Sequence, residues 1–122
     1  MKKSILVVED QAAIANVWKI KFSHLGYDVT IALDGQVGMD DMQKNHYDVI
    51  LLDLNLPHKT GLEILAAKPG SPNAETPVYV ITASLDDTEI DQARQLGATS
   101  TFLKYRTSPN EVVQTVQGAV GV

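Results

Sequence analysis

Five residues with reactive or charged groups each stand where a short apolar run stops. Glu9 and Asp10 follow the run at residues 5–8, Asp53 follows 49–52, Thr82 follows 78–81, and Lys104 follows the weaker run 99–103. In a parallel sheet these ends share one edge, so three carboxylates, a hydroxyl and an ammonium converge there. Carboxylates held close in a low-dielectric setting repel strongly, and a bound cation relieves the repulsion. Hard oxygen ligands suit Mg2+ or Mn2+ rather than zinc or copper. A carboxylate beside such a cation can act as a nucleophile toward a phosphoryl group, giving an aspartyl phosphate. Phosphoryl transfer asks mainly for in-line placement and charge stabilisation. Lys104 can pair with one phosphoryl oxygen and the Thr82 hydroxyl can donate to another.

The elements that must position these residues are legible as an alternation. Apolar runs at residues 5–8, 29–33, 49–52, 78–81 and 99–103 suit strands buried on both faces. Between them lie helical patterns. Ile14, Val17, Trp18, Phe22 and Leu25 recur at three- and four-residue spacing, with Gly26 as the stop. Met39 and Met42 mark a second helix weakened by Gly35 and Gly38. Thr60 and Glu63 form a capping box that opens a third, running to Lys68. Ile90, Ala93, Arg94 and Leu96 mark a fourth, ended by Gly97, and Ser108-Pro109-Asn110-Glu111 opens a fifth. Residues 69–76 read as a surface loop. Five βα units in succession predict a right-handed, mostly parallel sheet with helices on both faces.

Composition narrows the function. The 122 residues hold ten Lys and Arg against fifteen Asp and Glu, a net charge of −5, and no Cys. The negative balance argues against nucleic acid or anionic lipid as a partner. Lack of cysteine excludes disulfides, thiolate zinc sites and cysteine nucleophiles. The apolar run after Lys2 and Lys3 stops at Glu9, too short for a signal peptide or a membrane span, so a soluble, cytoplasmic protein is expected. His24, His46 and His58 have no ligand or triad spacing and read as surface residues, His58 lying next to the predicted site. The acidic start of the fourth helix, with Asp86, Asp87, Glu89 and Asp91, suits its dipole and can also steer a partner.

Along its full length the chain resembles the CheY-like receiver domain of two-component response regulators. The resemblance rests on Val7-Val8-Glu9-Asp10, on Leu52-Asp53-Leu54-Asn55-Leu56-Pro57 with Gly61 beyond, on Ile81-Thr82-Ala83, and on Gly97-Ala98 followed by Lys104. It implies a single receiver domain over residues 1–122, with a flavodoxin-like, doubly wound (βα)5 sandwich whose five parallel strands lie in the order 2-1-3-4-5. It implies that Asp53 is the phosphoacceptor, with Asp10 ligating Mg2+ directly, Glu9 acting partly through water and Asn55 contributing its backbone carbonyl. Thr82 becomes the switch hydroxyl and Lys104 the phosphate-pairing lysine. Small Ala83 admits the phosphoryl group, and the side chains of Asn55 and Ser84 tune its lifetime. The donor is a phosphohistidine on a histidine kinase or phosphotransfer protein, and output passes to a downstream protein through the fourth helix, fifth strand and fifth helix. No turnover of an external substrate is expected, and the oligomeric state stays open, a weak homodimer included.

Two positions depart from the family pattern. Tyr105 follows Lys104 where proline is usual, and a trans bond is expected there because a cis bond before a non-proline residue costs about 2.5–4 kcal/mol. The switch aromatic position holds Thr101, while Phe102, one residue on, should face the other side of the strand. These departures support an alternative, an atypical receiver acting as a phosphorylation-independent interaction module. A haloacid-dehalogenase-type phosphohydrolase wants an acid at position 55, where Asn55 stands. A flavin carrier wants a Ser/Thr/Gly phosphate loop in place of Glu9-Asp10-Gln11-Ala12. For Asp10 alone, capping the first helix is the competing structural role.

Overall fold

The computed structural model describes residues 2–83 and 86–120. The strands are β1 (Ser4–Val8), β2 (Asp28–Ala32), β3 (Val49–Leu52), β4 (Val78–Thr82) and β5 (Ser100–Leu103). The helices are α1 (Ala12–His24), α2 (Gly35–Lys44), α3 (Gly61–Ala67), α4 (Asp87–Gln95) and α5 (Pro109–Val120), with a 3-10 turn at Lys68–Gly70. All strand pairs are parallel and the order is β2-β1-β3-β4-β5, as expected. The second strand begins and ends one residue earlier than its apolar run, leaving Leu33 exposed beyond it.

Strand alternation divides the core in two. Leu6, Val8, Ile50, Leu52, Val78 and Val80 pack with Met39, Met42, Ile64 and Leu65, on the side of α2 and α3. Ile5, Val7, Val49, Leu51, Tyr79 and Ile81 pack with Trp18, Phe22, Val112 and Val116, on the side of α1 and α5. Every residue of β3 and β4 is buried, which explains their continuous apolar runs. Each such Leu, Ile or Val contributes about 1.5–3 kcal/mol of transfer free energy. Thr101 lines a hollow with Ile90 and Arg94 of α4, whereas Phe102 stacks on Tyr79 at 6.3 Å on the opposite face. The two side chains therefore diverge, as period-2 alternation requires.

Helix starts follow their capping chemistry. Asp34 accepts from Val37 N–H at 2.9 Å, Thr60 and Glu63 form the reciprocal box, Asp86 accepts from Thr88 N–H, and Ser108 accepts from Glu111 N–H. α1 is different. Its N-cap residue is Gln11, with no side-chain cap, so Asp10 is not spent on that role.

Residues 69–76 are not the plain surface loop expected. Asn73 is fully buried: its amide donates to Met42 O and Asn45 O at 2.7 Å, and its carbonyl oxygen accepts from Tyr47 N–H. Thr76, also buried, donates to Tyr47 O. A segment without a regular ladder must satisfy its neighbours' backbone groups by side chain, and asparagine carries both donors and an acceptor.

Candidate functional site

The strand ends converge as their sequence positions require. β1 delivers Glu9, whose N–H donates to Ala32 O at 3.0 Å, and β3 delivers Asp53, whose N–H donates to Val8 O at 3.1 Å. These bonds extend the ladder one residue past each strand and fix both carboxylates at the sheet edge. One oxygen from each of Glu9, Asp10 and Asp53 lies within 4.8 Å of the others. Glu9 and Asp53 are buried and Asp10 is exposed, so the cluster opens to solvent on one side.

Lys104 reaches this cluster. Its Nζ lies 2.8 Å from Glu9 Oε1 and 2.8 Å from Asp53 Oδ2, with its side chain 6% exposed. The bond Lys104 N–H to Thr82 O, 2.8 Å, carries the register of β4 and β5 past the end of β5 and aims the lysine inward. No cis peptide bond occurs among the described residues, so Lys104 enters with trans geometry before Tyr105. The remaining carboxylate oxygens are held too. Glu9 Oε2 accepts from Gln11 N–H at 3.0 Å, and Asp53 Oδ1 accepts from Asn55 N–H at 3.1 Å. Burial pushes the Glu9 carboxyl above its ordinary value, although the bonds from Lys104 and Gln11 pull the other way. Burial works against the Lys104 ammonium, but Asp53 and Glu9 outweigh it and hold its pKa above the ordinary value.

The donor set fits a hard divalent cation: three carboxylates against one ammonium leave net negative charge, and an ammonium already rests on two of the oxygens. Thr82 is fully buried at the end of β4. Ala83 is exposed and, with Thr82, Lys104 and Arg106, borders a hollow of ≈ 130 Å3. Asn55 is exposed beside Asp53, and Ser84 lies outside the described residues. The three histidines are exposed.

Two contacts near the site were not legible as function. The loop after Asp53 is braced from α2, where Gly35 N–H donates to Pro57 O at 3.0 Å. A Cβ on Gly35 would come 1.6 Å from Lys59 O. His58, in the same loop, takes φ +71°, a left-handed conformation rare for a non-glycine residue. Gly35 had only the signature of a poor helix former; its real constraint is a close approach between two segments distant in sequence.

Residues 5–117 match the family model of the response regulator receiver domain. Response regulator ArlR of Staphylococcus saprophyticus is 43% identical over 82 residues, covering 67% of this chain and 36% of that relative. The chain thus spans little more than a third of the length of this curated relative. A CheY-like receiver domain protein from Methanospirillum hungatei JF-1 superposes with TM-score 0.91 at 22% identity, over 98% of this chain and 94% of that one. The receiver domain of sensor histidine kinase PA1611 from Pseudomonas aeruginosa PAO1 superposes with TM-score 0.86 at 25% identity over 100% of both chains. That structure has a magnesium ion coordinated in its active site cleft. Family match, strand order and the edge where Glu9, Asp10, Asp53 and Lys104 meet agree, and the chain belongs to the response regulator receiver domain family.

Proposed function

We propose that this receiver domain is a Mg2+-dependent phosphoryl acceptor, modified on Asp53 by a phosphohistidine of a histidine kinase or phosphotransfer protein. The observation that carries this reading is the buried Lys104 ammonium, 2.8 Å from both Glu9 and Asp53, within a three-carboxylate cluster. A carboxylate oxygen of Asp53 forms the new P–O bond while the P–N bond to the donor imidazole breaks, and the leaving nitrogen keeps the electron pair. Lys104 then pairs with a phosphoryl oxygen, and the Thr82 hydroxyl donates to another. Glu9, Asp10, Asp53 and the Asn55 carbonyl are the groups that would hold the cation. When bound, it neutralises part of the charge that builds up on the transferring group. Asn55, Ala83 and Ser84 are the residues to which tuning of the phosphoryl lifetime is assigned in this reading. No turnover of an external substrate follows from this chemistry, beyond loss of the phosphoryl group itself to water.

The output is protein contact through the face of α4, β5 and α5. No helix among the described residues is long and apolar enough to cross a membrane, and a cytoplasmic location suits the donor. The net charge of −5 disfavours nucleic acid as a partner of these 122 residues, whereas the matched ArlR relative extends well beyond the aligned region. The test is incubation with acetyl phosphate and Mg2+, read by intact mass. One added phosphoryl group is expected, lost in Asp53→Asn and with chelator. No mass gain on the unaltered protein overturns the reading.

A second reading is favoured by Thr101 and Tyr105, which break the usual switch pattern: the domain then binds its partner independently of phosphorylation. Equal partner affinity with and without beryllofluoride supports that reading, and a large difference rejects it.

A further inference from the structure

Aromatic side chains can report a switch only if they have somewhere to go. Of the chain's seven aromatics, Trp18, Phe22, Tyr27, Tyr47 and Tyr79 are buried core residues. Phe102 is stacked on Tyr79. Tyr105 is the exception, 75% exposed and joined by one peptide bond to Lys104.

Tyr105 also stands between two hollows. On one side is a cleft of ≈ 220 Å3 walled mainly by apolar side chains, among them Ile14, Val17 and Trp18 of α1, Ile81 of β4 and Val112 of α5. A cavity of about 150 Å3 lined by such side chains accepts a benzene ring, so this cleft has room for a phenol. On the other side is the smaller hollow bordered by Thr82, Ala83 and Arg106. Residues 104–107 form a turn outside any helix or strand, held by Arg106 N–H and Thr107 N–H on Leu103 O, both at 3.1 Å. The last ladder bond is Lys104 N–H to Thr82 O, so residues 105–107 beyond it can move without breaking the ladder. The inner position usual for a switch aromatic holds Thr101 beside a hollow of ≈ 330 Å3, so no ring is available there.

We infer that Tyr105 is the residue through which this domain reports the state of Asp53, its ring passing from solvent into the α1–α5 cleft when Asp53 is phosphorylated. While Lys104 is drawn in to Glu9 and Asp53, the ring stays out. Phosphoryl oxygens stand farther from the Asp53 carboxyl carbon than Oδ2 does. The ammonium must draw back along its own side chain to pair with them, and the turn that follows shifts with it. Burial of the ring against Ile14, Val17 and Trp18 then favours the shifted state, since aromatic burial removes a large apolar area from water. The consequence is that the α5 side of the output face loses an exposed ring and a cleft at the same time.

This inference rests on phosphorylation of Asp53, so its test measures that separately. The protein is prepared with fluorotyrosine and examined by fluorine NMR with a soluble paramagnetic agent, with and without acetyl phosphate and Mg2+. Intact mass is read on the same samples. Without donor, one resonance of four should be strongly broadened, and Tyr105→Phe should remove it. On phosphorylation its broadening should fall about threefold or more, as for a ring that passes from mostly exposed to mostly buried. Trp18 emission should shift in the unaltered protein and in Tyr105→Phe, and not in Tyr105→Ala. A phosphorylated protein whose Tyr105 resonance stays as broad as before overturns the inference and leaves the phosphoacceptor reading intact. So does an equal Trp18 shift in Tyr105→Ala. Absence of phosphoryl incorporation overturns both.

Discussion

The corner built from β1, β3 and β4 and the edge built from β5 and α5 are packed by different rules. In the corner, nearly every strand residue is buried and added atoms have no room: a Cβ on Gly35 would meet Lys59 backbone, and one on Gly38 would come 2.7 Å from a Val8 methyl. At the edge, no β5 residue is fully buried, hollows flank Thr101 and Tyr105, and a Cβ on Gly118 would meet nothing within 4 Å. The carboxylates are thus fixed by close-packed strands, where a small displacement is costly, while the segment after Lys104 has space to rearrange. The proposed chemistry, which depends on placement, sits in the rigid region, and the surface proposed to differ between two states sits in the loose one.

The largest effect should come from Lys104, which carries a charge from the edge into the corner. Lys104→Ala leaves Glu9 and Asp53 buried without their cation, so the ion-free protein should lose about 3 kcal/mol or more in urea unfolding. Mg2+ should recover much of that loss and should bind the variant more tightly than the unaltered protein, because no ammonium competes for the same oxygens. Unchanged stability and unchanged Mg2+ affinity would show that Lys104 does not compensate the cluster.

Two glycine substitutions should separate the regions by sign. Gly35→Ala should cost about 2 kcal/mol, since its Cβ overlaps backbone that cannot yield cheaply. Gly118→Ala, inside α5 with open space around it, should stabilise by about 0.5–1 kcal/mol through helix propensity. Thermal melts of both variants check this, and equal effects of one sign would remove the contrast.

A smaller effect concerns pH. The folded protein holds the Lys104 pKa above 10.5, so its contribution to stability is fully present below that pH and is lost as pH rises through the folded value. The stability difference between the unaltered protein and Lys104→Met in ion-free buffer should therefore shrink as pH rises past 10.5. A difference that is constant across that window would assign the effect to packing of the lysine stem.

The corner was largely legible in the sequence. Apolar runs ending in Glu9, Asp53, Thr82 and Lys104 state both the strands and the edge, because a buried parallel strand allows a polar group only where it leaves the sheet. Period-2 alternation also placed Phe102 opposite Thr101. What was not legible depends on contacts between segments far apart in sequence. Asn73 falls in the stretch 69–76 that reads as a surface loop, and only the fold shows the backbone groups of Met42, Asn45 and Tyr47 that it satisfies. Asp10 had two plausible roles, and the helix start at Gln11 leaves it with the carboxylate cluster. The cleft beside Tyr105 is formed by α1 and α5, which no local pattern brings together.

Trapping the acyl phosphate tests the central claim most directly. The protein is treated with acetyl phosphate and Mg2+, reduced with borohydride to convert any aspartyl phosphate to homoserine, and mapped by peptide sequencing. Homoserine is predicted at position 53 alone, and absent when Mg2+ is chelated. Homoserine at another carboxylate, or equal conversion of Asp53 without Mg2+, would contradict the account.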